Sequence, residues 1–309
     1  MTETLEKSTL GQFLKFTDQS YRCTAKKEIV AMDPYKFEMK GRAFDDGDRL
    51  DKVAAGLTAL QHVFDGQFRV LTDKRRLSEQ DRRLFQVRIE RYEDGSFIAI
   101  LGAIYTGVQA VLPFIYGAPN IWEATKSAFD FLEALYTAAH EGKEIQISQD
   151  GDGNTAVISG DTHQVFNGPV YNIGTQIIGA VREFDDLLEG EEVREVALKG
   201  PQDAPVIRLT SDKKGLFTPP VRIDETPVKI ICDIYDFNKY ENIGKARVSI
   251  DQPIPPGNYR FKNIGDQSVE EFILSMTESQ VLLTCLIKYQ HDPLSESKIA
   301  EILVMDIAA

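Results

Sequence analysis

The sequence predicts an α+β protein of three units: a mixed α+β unit with an apolar helical region (residues 1–142), a turn-rich β connector with a short helix (143–215), and a C-terminal small β-barrel or sandwich (216–309). Three observations carry this division. Apolar residues recur at helical spacing before an alternating hairpin pattern in the first unit. At Lys143 the chain changes to short polar segments broken by Asn, Asp and Gly. From Val228 onward five β-type runs follow one another with little else between them.

In the first unit, Leu50, Val53, Leu57, Leu60, Val63 and Phe64 share one helical face, and Asp45, Asp46 and Asp48 stand before it as cap and turn material. Carboxylates there suit the positive end of a helix. Phe85, Val87 and Ile89 then alternate with polar neighbours, "EDG" supplies a tight turn, and "FIAIL" returns as the second strand of a hairpin. Beyond it the chain reads as helix, interrupted at Pro113 and at "GAP" (117–119), and resuming with Trp122, Ala128, Phe129, Leu132 and Leu135 on one face until Gly142.

The connector "EIQISQDGDGNTAVISGDTHQVFNGPVYNIG" makes short strands and tight turns with too few large apolar groups to hold a core alone. It is expected to pair with another copy or to lie against a neighbouring unit. A short helix follows in "QIIGAVREFDDLLEG", and "KGPQDAP" and "FTPPV" read as linkers. The last unit contains "VKIICDIYDF", "GKARVSI", "NYRFKNI", "SQVLLTCLIKYQ" and "SKIAEILVMDI", five strands of OB-like or SH3-like proportions. Tyr235, Phe237, Tyr259 and Phe261 are read as barrel packing in preference to a stacking surface for bases.

Charge is unevenly placed. Residues 1–95 hold 18 Lys plus Arg and 17 Asp plus Glu, whereas residues 123–309 hold 17 and 31, a difference of −14. Such a surface repels a polyanion as a whole, so no nucleic-acid partner is expected, although a local basic patch on one face is compatible with these totals. Cys23, Cys232 and Cys285 have no CxxC spacing, and the last two lie in apolar runs, as buried thiols of a reducing compartment do. The N-terminal residues carry acids and no apolar stretch of signal length, so no cleaved export signal is expected.

The hairpin ending in "DGSFIAIL", the helix "WEATKSAFDFLEAL", the turn-rich "DGDGNTAVISGD" with "NGPVYNIG", and the β-unit after Val228 resemble a poorly characterised group of bacterial proteins found in phage-defence neighbourhoods. The resemblance implies a defence-type role and an effector that perturbs membranes or is held by a partner. It transfers no catalytic residue.

No catalytic, cofactor-binding or metal-binding residue is assigned. Asp150, Asp152, Asn154 and Asp161 have the oxygen spacing of a calcium loop, but Thr155 stands where the sharp turn needs Gly, and a β-turn explains them better. His62, His140, His163 and His291 have no second histidine at metal spacing. There is no GxSxG, P-loop or GxGxxG.

Residues 96–122 form a run of 27 without formal charge. Its length exceeds the roughly 20 apolar residues that cross a bilayer. As membrane-contacting residues it offers Phe97, Ile98, Ile100, Leu101, Ile104, Tyr105, Val108, Val111, Leu112, Phe114, Ile115 and Trp122, with Lys74, Arg75, Arg76, Arg82, Arg83, Arg88 and Arg91 upstream in a positive-inside arrangement. A buried hairpin strand followed by core helices explains the same residues without a membrane. The first reading gives a non-enzymatic, self-associating effector in the cytoplasm, acting at the inner membrane and restrained by a protein partner. The second gives a soluble protein-binding or assembly adaptor. Both expect a protein partner and a homo-oligomer, and neither requires a cofactor.

Overall fold

The computed structural model describes residues 35–93, 97–105, 121–149, 154–160 and 162–308. Its first body is built on a five-stranded antiparallel sheet of β1 (Tyr35–Lys40), β2 (Phe85–Glu93), β3 (Phe97–Tyr105), β7 (Glu195–Lys199) and β8 (Pro205–Thr210) in the order β2-β3-β1-β7-β8. The expected hairpin is present: β2 pairs with β3 from Phe85↔Tyr105 to Glu93↔Ile98, with a bulge between Ile89 and Arg91. In β1 the sequence "YKFEMK" alternates, and its Tyr35, Phe37 and Met39 are buried in the core. The alternate residues Lys36, Glu38 and Lys40 form an ion ladder with Asp203, Lys199 and Glu195 of the neighbouring hairpin.

Helices α1 (Leu50–Leu71), α3 (Ile121–His140) and α4 (Val170–Leu187) share the core with this sheet, while the short α2 (Glu79–Leu84) leads into β2. In α1 the inward stripe is Ala59, Leu60, Val63, Phe64 and Phe68, and Leu50 is 79% exposed, so the apolar face begins a turn later than expected. The cap differs as well: Arg49 occupies the N-cap position with no side-chain cap, and pairs with Asp51 of the first turn. Gly66 lets α1 approach α4 closely, because a Cβ there would stand 3.0 Å from Ile177 and 3.1 Å from the Gln176 carbonyl. A buried hydrogen bond from Gln67 to Thr125 (2.6 Å) ties α1 to α3.

Two expectations for residues 143–215 are corrected. The helix expected from Gln176 starts at Val170, directly after Pro169, so "VYNIG" is helical and Ile173 joins the core. "GPQDA" is not a linker between units. It is the turn of the β7–β8 hairpin, where Gln202 and Asp203 adopt positive φ (59° and 58°). One core cluster therefore runs from Tyr35 to Phe217 across the expected boundary at 142/143.

The remainder of the connector forms an antiparallel meander of β4 (Ile145–Gln149), β5 (Thr155–Ser159) and β6 (Thr162–Phe166). It lies against α3: Val157 is buried in the main core, and Phe166 meets Phe131 edge-on at 5.6 Å.

The C-terminal unit is a closed barrel of β10 (Val228–Asn238), β11 (Ile243–Val248), β12 (Gly257–Asn263), β13 (Val281–Gln290) and β14 (Lys298–Ala308), all five expected from the sequence. The order is β10-β11-β12-β14-β13 with β13 closing on β10, β12 and β14 are parallel, and β9 (Val221–Ile223) extends the β13 edge. With helix α5 (Val269–Ser275) between the third and fourth strands, this is OB-type connectivity and excludes an SH3-like meander. Helix α5 carries a Ser268/Glu271 capping box and places Phe272 between Phe237 (4.7 Å) and Phe261 (5.6 Å) in the barrel core. Burial pushes the Cys232 thiol up to about 12 and the Cys285 thiol up to about 11, so both are inert strand packing, as expected. Cys23 lies outside the described residues.

Candidate functional site

Of the residues proposed to contact a membrane, Phe97, Ile100, Leu101 and Trp122 are at most 3% exposed. Phe97, Leu101 and Trp122 belong to the core of the first body, where Trp122 stacks on Tyr35 at 3.6 Å and meets Phe64 edge-on at 4.9 Å. Ile98 is half-buried in β3, and Ile104 and Tyr105 continue that strand opposite Gln86 and Phe85. Val108, Val111, Leu112, Phe114 and Ile115 lie outside the described residues. No helix of the described residues is long and apolar enough to cross a membrane.

No group of three or more metal-ligating side chains occurs among the described residues. Asp150, Asp152 and Asp161 lie outside them, and Asn154 accepts a hydrogen bond from the Gly168 amide at 3.0 Å. The histidines are dispersed: His62 pairs with Glu183 (2.8 Å), His140 meets the Leu216 carbonyl (2.9 Å), His291 meets Ser297 (2.7 Å), and His163 is exposed on β6.

Two arrangements are built from distant parts of the chain. The first is the junction between the body and the barrel. Arg182 of α4 donates to the Phe217 carbonyl (2.9 Å), to the Tyr136 hydroxyl (2.6 Å) and to Asp292 (2.9 Å), and Tyr136 donates to the other Asp292 oxygen (2.7 Å). Asp292 follows β13, so α3, α4 and the barrel are fastened at one point. Burial pushes the Asp292 carboxyl up, but the hydrogen bonds from Arg182 and Tyr136 outweigh it and hold the group below its ordinary range. Burial and the Asp292 contact push the Tyr136 hydroxyl far up, so it remains a donor at neutral pH.

The second arrangement is the free margin of the meander. On the face toward α3, Thr155, Val157 and Ser159 are buried, but β6 overhangs the helix, and the first four of its five residues are exposed. A groove of about 710 Å³ opens beneath it, lined by Glu133, Thr137 and Glu141 of α3 and by Gln164 and Phe166 of β6. On the opposite face Val165 is 59% and Ile158 39% exposed. Among the described residues β6 pairs only with β5, leaving its outer edge of amides and carbonyls open. The three strands (IQISQ, TAVIS, THQVF) contain no charged residue and no proline, the features that usually keep an edge from pairing.

Sequence reading identified the meander but not its groove, because the α3 wall is distant in sequence. Arg182 and Asp292 gave no signal, since single charges 110 positions apart are indistinguishable from surface residues. Comparison of the chain with protein-family models, with curated proteins and with solved structures finds no match. Fold and surface therefore define the class: an α+β body fastened to an OB-type barrel, with an uncharged open sheet margin.

Proposed function

We propose that this protein is a non-enzymatic assembly module that self-associates and binds a protein partner by adding a strand to β6. The observation that carries this reading is the uncharged, unpaired edge of β6 above the α3 groove. An extended segment placed there gains main-chain hydrogen bonds, and its alternate side chains enter the groove. A second copy of β6 meets the same requirement through an antiparallel, two-fold contact.

Val165→Lys tests it. The side chain is 59% exposed, so the substitution leaves packing intact while placing a charge on each β6 in the contact. Light scattering is expected to show an oligomer for the wild type and a lower mass for the variant, with unchanged far-UV circular dichroism. A monomeric wild type, or a variant of undiminished mass, defeats the self-association reading.

The membrane-acting form of the function rests on the charge-free residues 106–120, outside the described portion. It predicts that the protein resists an alkaline carbonate wash of the membrane fraction. It also predicts that Arg at Val111 and Leu112 releases it, each costing about 2.5–3.5 kcal/mol at bilayer depth. A wild type wholly in the supernatant argues for the adaptor form, in which the partner alone decides location.

A further inference from the structure

Building on strand addition at β6, we infer that the added strand belongs to a partner protein and carries a bulky apolar side chain with Lys or Arg two positions to either side. One stripe of α3 faces the groove: Asp130, Glu133, Ala134, Thr137, Ala138 and Glu141. These follow the three- and four-residue steps that share a helix face. The ends of the stripe are acidic and its middle is short-chained. Ser159 of β5 is an independent sign that a polar group is received there. It is 7% exposed, lines the groove, and its hydroxyl has no hydrogen-bond partner among the described residues. A buried hydroxyl left unpaired is costly, and a donor seated beside it removes that cost.

The meander fixes which end of the groove is which. Phe166, the last residue of β6, meets Phe131 edge-on at 5.6 Å, whereas Thr162, the first, is opposite Ser159, itself opposite Ile145 just after α3. Strand β6 therefore runs antiparallel to α3, with Phe166 toward Asp130 and Glu133 and with Thr162 toward Glu141. From Glu133 to Glu141 the helical rise is about 12 Å. Residues i and i+4 of an extended strand are about 13 Å apart, and i+2 points to the same side. The outer two of three inward side chains thus meet the two acidic ends. The middle one lies over Ala134, Thr137 and Ala138, whose short side chains leave room for a large one.

The acids already have exposed partners: Asp130 pairs with Lys126 (2.6 Å), Glu133 with Lys213, and Glu141 with Lys143 (2.5 Å). Lys126 and Lys213 border a separate furrow on the other side of α3, toward β8. The groove lining itself therefore holds three carboxylates and one cation, Lys143. Exposed pairs of this kind are weak, so a cation brought in by the partner displaces them at little cost. At the Glu141 end it donates to the Ser159 hydroxyl as well as to the carboxylate. A second copy of β6 fits less well. Its groove-side residues, Thr162, Gln164 and Phe166, include no cation, so it satisfies the strand edge and leaves the acidic ends unanswered.

The test is fluorescence anisotropy on the full chain with a short labelled threonine peptide that carries Phe at its centre and Lys two positions to either side. Saturable binding is expected. Replacing both peptide lysines by Glu, or moving its Phe one position onto the opposite face, should weaken binding at least about tenfold. In the protein, Glu141→Gln should weaken it about threefold or more. Thr137→Leu fills the groove floor from an exposed helical position and should abolish binding, with far-UV circular dichroism unchanged. Glu278→Gln, on the barrel, should leave binding unchanged, which separates the groove from general attraction to an acidic protein. Equal affinity for the Lys and Glu peptides, or a Thr137→Leu protein that binds as well as wild type, overturns the assignment. Absence of binding by a protein whose oligomer mass falls on Val165→Lys overturns the partner chemistry and leaves strand addition standing. Absence of binding together with an unchanged mass defeats both.

Discussion

Trp122→Ala is expected to destabilise the protein by about 3–5 kcal/mol, the range for truncating a large buried aromatic. Trp122 is 1% exposed, stacked on Tyr35 of β1 and edge-on to Phe64 of α1, so its removal opens a cavity where a sheet and two helices meet. The aromatic pairing adds about 0.5–1.5 kcal/mol beyond buried area, which places the loss toward the upper part of that range. Set against a typical total of about 5–15 kcal/mol, this is a large fraction of the stability of the body. Urea titration followed by far-UV circular dichroism measures the change. Because this is the only tryptophan, wild-type fluorescence reports the same site and should shift to the red on unfolding. A loss below about 1 kcal/mol, accompanied by reduced membrane pelleting of a folded variant, would instead make Trp122 an interfacial anchor.

Arg182→Ala is expected to cost about 2–3 kcal/mol and to loosen the barrel from the body. Breaking a buried ion pair from one side costs about 3–5 kcal/mol, because the remaining charge is left uncompensated. Here the Arg182 and Asp292 side chains retain 33% and 22% exposure, so solvent screens part of that loss. What remains is the loss of the three hydrogen bonds that Arg182 donates, to the Phe217 carbonyl, Tyr136 and Asp292, while the separate Tyr136–Asp292 contact survives the substitution. A double-mutant cycle with Asp292→Ala should give a coupling of at least about 1 kcal/mol, as residues in one network do.

The pH dependence of this junction has a definite sign. Asp292 is depressed in the folded state, so its contribution is fully present above the unfolded value near 3.9 and is lost as pH falls through the lower folded value. The difference between wild type and Arg182→Ala should therefore be constant near neutrality and shrink on acidification below about pH 4. A difference that stays constant through that window would mean that Arg182 acts through packing and the Phe217 carbonyl alone.

The sequence by itself determined those elements whose signal is local and repeated. The α1 stripe, the β2–β3 hairpin, the α3 face and the five barrel strands each repeat an apolar period over many residues, and each occurs where that pattern lies. The meander was legible for a different reason, the Asn, Asp and Gly turns that punctuate its short alternating segments, and Cys232 and Cys285 were legible as packing because they sit inside apolar runs. The short elements were not legible: β1, β7 and β8 are five or six residues long, and their apolar positions acquire meaning only when the three strands stand side by side. Their union places residues 35–40 between 97–101 and 195–199, so residues on both sides of 142/143 share one core. Tertiary structure alone also decided which charges matter. Arg182 and Asp292 are 110 positions apart and meet only because barrel and body dock. Asp130, Glu133 and Glu141 share one stripe of α3, and only the docking of the meander makes that stripe the wall of a groove. A net charge sums over a domain, whereas a ligand meets one face, and only the packing of the elements says which residues that face contains.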